Sequence, residues 1–381
     1  TQALQQRELL TIYAMLATST ALNGTDMVKC LVSLLGNGSW YATPENDWDN
    51  LFGRYLPGWL TIQNRHILRG YYEGQSTLYI PAFIRLWLPR ALVWSSFIVV
   101  LIFVMLCINT ILRKQWVRNE RLTYPVAQLP FEMTTPTPLY PPHFGGDERG
   151  GATFFGNRMM WIGFAIAGLV GLINQGHISY PILPGLPVHA FNFGQYFTTR
   201  PWNAMRNMYR TFYPFAIGLS YLMPLDLIVS TWVFHLFWQV ERITGSAMGL
   251  MALPQFPYQE AQVRGGWMGL LVFAIWIGRK YFLNVIREVF KDAKEDTSGG
   301  PMTYRNAVLG IMVGVVLLVT FCYYAGMSIG IMLPFFGLYF ALSTTFTRNR
   351  AELGPPMQTL SGATPDYILL TTLGSRRIGP R

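Results

Sequence analysis

Residues 91–112 read ALVWSSFIVVLIFVMLCINTIL, an apolar run without a formal charge. About 20 such residues, at 1.5 Å rise each, cross the hydrocarbon core of a bilayer, so the run is predicted to be a transmembrane helix. Arg113, Lys114, Arg118 and Arg121 follow it directly. Short basic loops resist translocation, and these four mark the cytoplasmic side. Composition extends that reading to the whole chain. Of 381 residues, 51% are hydrophobic and only 13% charged, about half the charged share that coats a soluble domain. The net charge of +10 does not point to nucleic acid, because the basic residues cluster beside apolar spans. That placement fits the positive-inside pattern and anionic lipid headgroups. The expected fold class is all-α: a polytopic transmembrane helical bundle of about six or seven membrane-embedded helices, with broken or re-entrant segments. It forms one integral membrane domain over residues 1–381. Membrane lipids are its expected surroundings.

Three cysteines, Cys30, Cys107 and Cys322, lie in apolar surroundings with no paired spacing. They argue against a disulfide framework and against a zinc site, and neither a metal nor a cofactor is expected. Thr1 is not an initiator methionine and no signal peptide follows it. A processed product, or part of a longer chain, is the expectation.

Taken in order, residues 8–22 are apolar and helix-compatible, interrupted by Asn23-Gly24-Thr25-Asp26. Residues 36–89 are rich in Trp and Tyr interleaved with charges, which suits the headgroup zone and predicts an aromatic interfacial loop. A lid over a substrate vestibule is the alternative. Residues 113–158 form a basic, Pro/Gly-rich cytoplasmic loop. Residues 159–173 are helical, with Gly163, Gly168 and Gly171 allowing close helix approach. Beyond them Pro181, Pro184 and Pro187 forbid a regular helix, and irregular backbone at membrane depth must be buried in protein or reached by water. Asn174, His177 and Tyr180 therefore line either a cavity or a surface loop.

Residues 211–240 make the next span, with Asp226 its only formal charge and Pro214 and Pro224 inside it. A charge at a helix centre costs about 2.5–3.5 kcal/mol on insertion scales, so Asp226 needs compensation. It either caps a helix restarted after Pro224 or carries a proton beside a midplane cavity. Residues 265–278 are apolar but short, and 279–305 form a charged cytoplasmic loop. The charge-free run 306–346 is about two bilayer thicknesses long and predicts two helices turning near Ala325 to Ser328. Three candidate crossings separate the two basic loops, whereas a shared side requires an even number, so the count does not close.

The stretch after the first strong span, RKQWVRNERLTYPVAQLPFEM, places Glu120, Tyr124, Pro125, Gln128, Pro130 and Glu132 where a plain connection needs none of them. Glu120 and the Tyr124-Pro125 turn are expected against the bundle. No HExxH, Walker A loop, G-x-S-x-G elbow or Cys-x-x-Cys pair is present, and the five histidines never fall in ligand spacing. No enzyme is expected.

ELLTIYAML (8–16), NERLTYPVAQLPFEM (119–133), IGLSYLMPLDLIVSTW (217–232) and RAELGPP (350–356) together resemble a group of large bacterial membrane proteins of unknown function, distantly similar to oligopeptide transporters. The resemblance implies a multispan carrier, commonly proton-coupled, for small peptides or metal chelates, and this chain has fewer spans than such carriers. Two function classes follow. One is a secondary transporter of small peptides or related small solutes, with Asp226, Glu120, Tyr124, Gln128, Asn174, His177 and Tyr180 as pathway candidates. The other is a non-transporting subunit or scaffold, acting as a homo-oligomer or with a membrane partner.

Overall fold

The computed structural model describes residues 5–22, 24, 30–77, 79–134, 157–186, 188, 191–205, 208–290, 302–354 and 363–374. Most of the Pro/Gly-rich stretch 134–151, Pro187 and the centre of the charged loop 279–305 lie outside the described residues. The architecture is all-α. Among the described residues, thirteen α-helices run from α1 (Gln6–Leu22) through α2 (Val32–Trp40), α3 (Trp48–Leu51), α4 (Arg65–Tyr72), α5 (Pro81–Lys114), α6 (Pro125–Thr134), α7 (Arg158–Ser179), α8 (Pro214–Ser220), α9 (Leu225–Ala247), α10 (Gln259–Phe290), α11 (Tyr304–Tyr324) and α12 (Ile329–Leu353) to α13 (Pro365–Leu373). Two short strands, β1 (Phe191–Asn192) and β2 (Tyr209–Arg210), pair antiparallel between α7 and α8.

Among the described residues, five helices are long and apolar enough to cross a membrane: α5 with its π-helical extension to Asn119, α7, α10, α11 and α12. At most 22% of each apolar window is buried inside the protein. That much apolar helix surface left uncovered is incompatible with water and suits lipid, so the chain is an integral membrane protein. The expected six or seven embedded helices included a single span at 211–240, and that stretch is two helices, α8 and α9. Pro214 opens α8 and Pro224 opens α9, each where a missing N–H costs nothing. The run read as short at 265–278 extends instead to a helix of 32 residues, α10. Only α7 and α10 of the five then separate the two basic stretches, an even number. The 306–346 run is two helices, α11 and α12, joined through Gly326 at φ 94°.

The chain divides into two compact units built from interleaved stretches: Thr1–Leu16, Leu122–Gly265 and Phe346–Ser361 in one, Ala17–Arg121, Gly266–Thr345 and Gly362–Arg381 in the other. In the second unit α5 and α11 pack closely. Ala307, Gly310, Gly314 and Leu318 are the buried face of α11, recurring every three or four residues. The glycines let the axes approach, since a Cβ on Gly314 would stand 2.2 Å from Val104 Cγ2 and one on Gly310 would stand 2.7 Å from Cys107 Sγ. Val104, Leu318 and Phe336 form the buried centre, ringed by Phe97, Val100 and Ile311.

The 36–89 stretch, expected as an interfacial loop, contains a helical motif with its own core. Leu35, Ala42, Leu60, Ile62, Ile67 and Leu68 are all buried. Asn64 caps α4, its side-chain oxygen accepting from His66 N at 3.0 Å. The Arg65 guanidinium donates to the Ser39 carbonyl at 3.1 Å and to that of Ala42. Tyr72 stacks on Trp40 at 5.1 Å and donates its hydroxyl to the Ser33 carbonyl at 2.6 Å. Burial first, and the neighbouring Tyr71 and Tyr41 second, push the Tyr72 phenol up to about 12. A raised pKa favours the neutral phenol in the folded state. Its contribution is therefore whole below about 10, the ordinary tyrosine value, and is lost as pH rises through about 12. Tyr72→Phe is expected to destabilise the protein by about 0.5–1.5 kcal/mol at neutral pH. A thermal melt that does not move on this substitution would show the hydroxyl bond contributes nothing net.

Candidate functional site

The unit holding residues 122–265 contains an apolar cleft of about 610 Å³. One wall is the Gly163, Ile166, Ala167 and Val170 face of α7, and the other is Pro214, Ile217 and Gly218 of α8. Small residues keep it open, and a Cβ at Gly163 or Gly218 would meet nothing within 4 Å. Leu186 and Val188 close one side, and Arg210 supplies the lining's single charge. Its size falls in the range of small-molecule sites, roughly 300–1,000 Å³.

Backbone geometry explains how an arginine reaches this cleft. After α7 the chain runs back along the helix. His177 Nδ1 donates to the Leu183 carbonyl, and Asn174 Oδ1 accepts from Leu186 N at 2.8 Å. Phe212 N then donates to the Val188 carbonyl at 3.1 Å, and Phe191 pairs with Arg210 in the two-stranded ladder. The Arg210 guanidinium is held among three rings, 4.8 Å from Phe193, 4.9 Å from Phe212 and 5.7 Å from Phe191. Cation–π contacts of this kind contribute about 0.5–2 kcal/mol each. They do not serve the five N–H groups of a guanidinium; the Arg210 side chain makes no hydrogen bond or ion pair with a described residue and lies exposed on β2.

The pathway candidates read from the sequence fall in separate places. Asn174 and His177 lie on regular helix, not on irregular backbone, and Tyr180 is the residue that ends α7, its N–H donating to the Gly176 carbonyl at 2.7 Å. The irregular backbone begins at Tyr180 itself, which is extended, just before Pro181. Asn174 and His177 serve as brackets for that returning segment. Asp226 sits in the first turn of α9 and is exposed, so it is neither at a helix centre nor the cap. Pro224 occupies the cap position, and its carbonyl accepts from Leu227 N and Ile228 N, both at 3.2 Å. A carboxylate there meets the positive end of the helix dipole, worth about 0.3–1 kcal/mol.

Tyr124 and Gln128 belong to a packed turn. Tyr124 N donates to the Ala351 carbonyl at 2.8 Å, Thr123 Oγ1 donates to the Glu352 carbonyl at 2.9 Å, and Gln128 Nε2 donates to the Thr123 carbonyl at 2.7 Å. Pro125 is fully buried. Glu120, in the other unit, closes the π-helical turn that follows α5, with its Oε1 accepting from Gln115 Nε2 at 3.0 Å.

Two polar groups escaped the sequence reading. Arg210 is one; its only signal is an isolated cation inside the aromatic run of Phe191, Phe193, Tyr196, Tyr209 and Phe212. The other is a network joining α9 to α10, in which Gln262 accepts from Trp238 Nε1 at 2.7 Å and donates to both Glu241 carboxylate oxygens at 2.9 and 3.1 Å. Its members are spread over 24 residues and share no motif. Among the described residues no three His, Cys, Asp or Glu side chains gather as a metal site would require.

Comparison with known families matches residues 1–381 to the family described as "Family of unknown function (DUF6785)". The chain belongs to this family. No curated protein and no solved structure matches it. What the family does must therefore be argued from the chemistry of the cleft and the helices around it.

Proposed function

We propose that this member of the family is a secondary carrier in the bacterial cytoplasmic membrane, moving small peptides or related small solutes with proton coupling and without enzymatic activity. The observation that carries the proposal is the proline-broken pair α8 and α9. The helix ends at Ser220 and restarts at Leu225, and α8 lines a solute-sized cleft before the break. Discontinuous helices beside a cavity are how membrane carriers expose backbone groups and charges to a substrate. The resemblance of 119–133 and 217–232 to a group distantly similar to oligopeptide transporters is the second support for this reading. The scaffold reading accounts for the breaks as packing devices and gives no role to the cleft.

Asp226 is the coupling group in this proposal, since it is the acid nearest in sequence to the break. Uptake of labelled di- and tripeptides and aliphatic carboxylates into proteoliposomes, with and without an inward proton gradient, tests the carrier. Asp226→Asn is expected to fold, because it removes only the charge–dipole term of about 0.3–1 kcal/mol. Its gradient-driven uptake is expected to vanish while exchange without a gradient persists. Gradient-driven uptake retained in Asp226→Asn would remove the residue from the mechanism, and absence of any uptake by the wild type would favour the scaffold.

A further inference from the structure

We propose that the Arg210 cleft is the solute site and that it selects amphipathic monocarboxylates, aliphatic acids and N-blocked apolar peptides, over zwitterionic peptides. The proposal deepens the carrier reading and rests on it for what the bound solute is for.

Depth is the first ground. The cleft uses Gly163 to Val170 of a helix running Arg158–Ser179, turns that bracket its midpoint. In a helix that crosses a bilayer those turns lie in the hydrocarbon core, near the level where carriers hold their solutes. Chemistry is the second. A guanidinium is a planar fork matched to two carboxylate oxygens, and the three phenylalanine rings fix its position while leaving its N–H groups unused. No acid lines the cleft and no described residue neutralises Arg210. A carboxylate bound in the cleft would find in Arg210 its countercharge, on an exposed side chain at the cleft's edge. Shape is the third ground, since the rest of the lining is Gly, Ala, Val, Leu, Ile, Pro and Phe, which suits a hydrocarbon body. A free ammonium would meet no acceptor side chain in this lining and would be repelled by the like charge of Arg210. That selects against zwitterions.

The measurement is equilibrium binding of radiolabelled octanoate to the protein in phosphatidylcholine nanodiscs, competed by octylamine, zwitterionic Leu-Leu and N-acetyl-Leu-Leu. Octanoate and N-acetyl-Leu-Leu are expected to compete with each other. Octylamine and Leu-Leu are expected to be at least tenfold weaker. Arg210→Gln is expected to weaken octanoate at least tenfold, with Arg210→Lys intermediate. A second variant leaves the arginine in place: Gly163→Trp puts an indole into open space and is expected to abolish binding by filling the cleft. Equal octanoate binding by wild type and Arg210→Gln would overturn the assignment, as would octylamine or Leu-Leu matching octanoate. Loss of octanoate binding on replacing phosphatidylcholine with phosphatidylglycerol would assign the cleft to a lipid headgroup and overturn it too. The two proposals fail separately. Octanoate binding without uptake sinks the carrier and keeps the site, whereas uptake with unaltered Arg210→Gln binding does the reverse.

Discussion

Gly354→Ala is expected to lower stability by roughly 2–4 kcal/mol, from a left-handed backbone cost and an overpacking cost together. Gly354 has φ 62°, a conformation that glycine adopts freely and alanine does not. The added Cβ would also stand 2.8 Å from Pro125 Cβ and 2.9 Å from its Cγ. That ring cannot yield, because Pro125 is fully buried and its neighbour Tyr124 is tied to Ala351. Thermal unfolding of the detergent-solubilised protein checks the value. Gly171→Ala in α7 is the control, since its Cβ meets nothing within 4 Å, and a helix-interior glycine replaced by alanine gains roughly 0.5–1 kcal/mol. Equal melting temperatures for the two variants would mean that the turn at 123–125 is not docked on the end of α12. The same result would remove the reason for the prolines after the first span.

The second large effect concerns the α5–α11 pair. Gly314→Leu is expected to force the helices apart at a cost of about 1–3 kcal/mol, because even a Cβ there would lie 2.2 Å from Val104 Cγ2. Val104 is wholly buried in the cluster with Leu318 and Phe336, so it has no rotamer to retreat into without displacing them. Pairing the substitution with Val104→Ala should restore part of the loss, as expected of two residues in direct contact. If Val104→Ala and Gly314→Leu instead add as independent losses, the glycine stripe is not the contact surface.

Membrane class, helical architecture and several element positions follow from the sequence alone. A charge-free run has one cheap environment, and its length counts the crossings. Thus 91–112 fell inside α5, and 306–346 became α11 and α12 with their turn at Ala325–Ser328. Pro224 likewise announced a helix restart, whereas Pro214, read as inside the same span, opens a separate helix. These signals are local, since hydropathy and a missing N–H act within a turn or two of the residue that carries them.

Tertiary structure decided everything that depends on residues distant in the chain. Asn174 and His177 drew attention as polar groups in an apolar run, yet their bonds go to the carbonyl and N–H groups of a segment that prolines had freed from any helix. Asp226 appeared to lie at a span's centre until the break placed it at a helix start. Leu35, Ile62 and Leu68 make one core only because a loop brings α2 and α4 together, and no periodicity marks them beforehand. Arg210 shows the same limit most sharply. Its charge was visible, but its position among three phenylalanines at the edge of an apolar cleft is set by pairing with Phe191 and by the return of 181–188 along α7. The sequence carries the cation, and only the folded chain sets it beside the cleft.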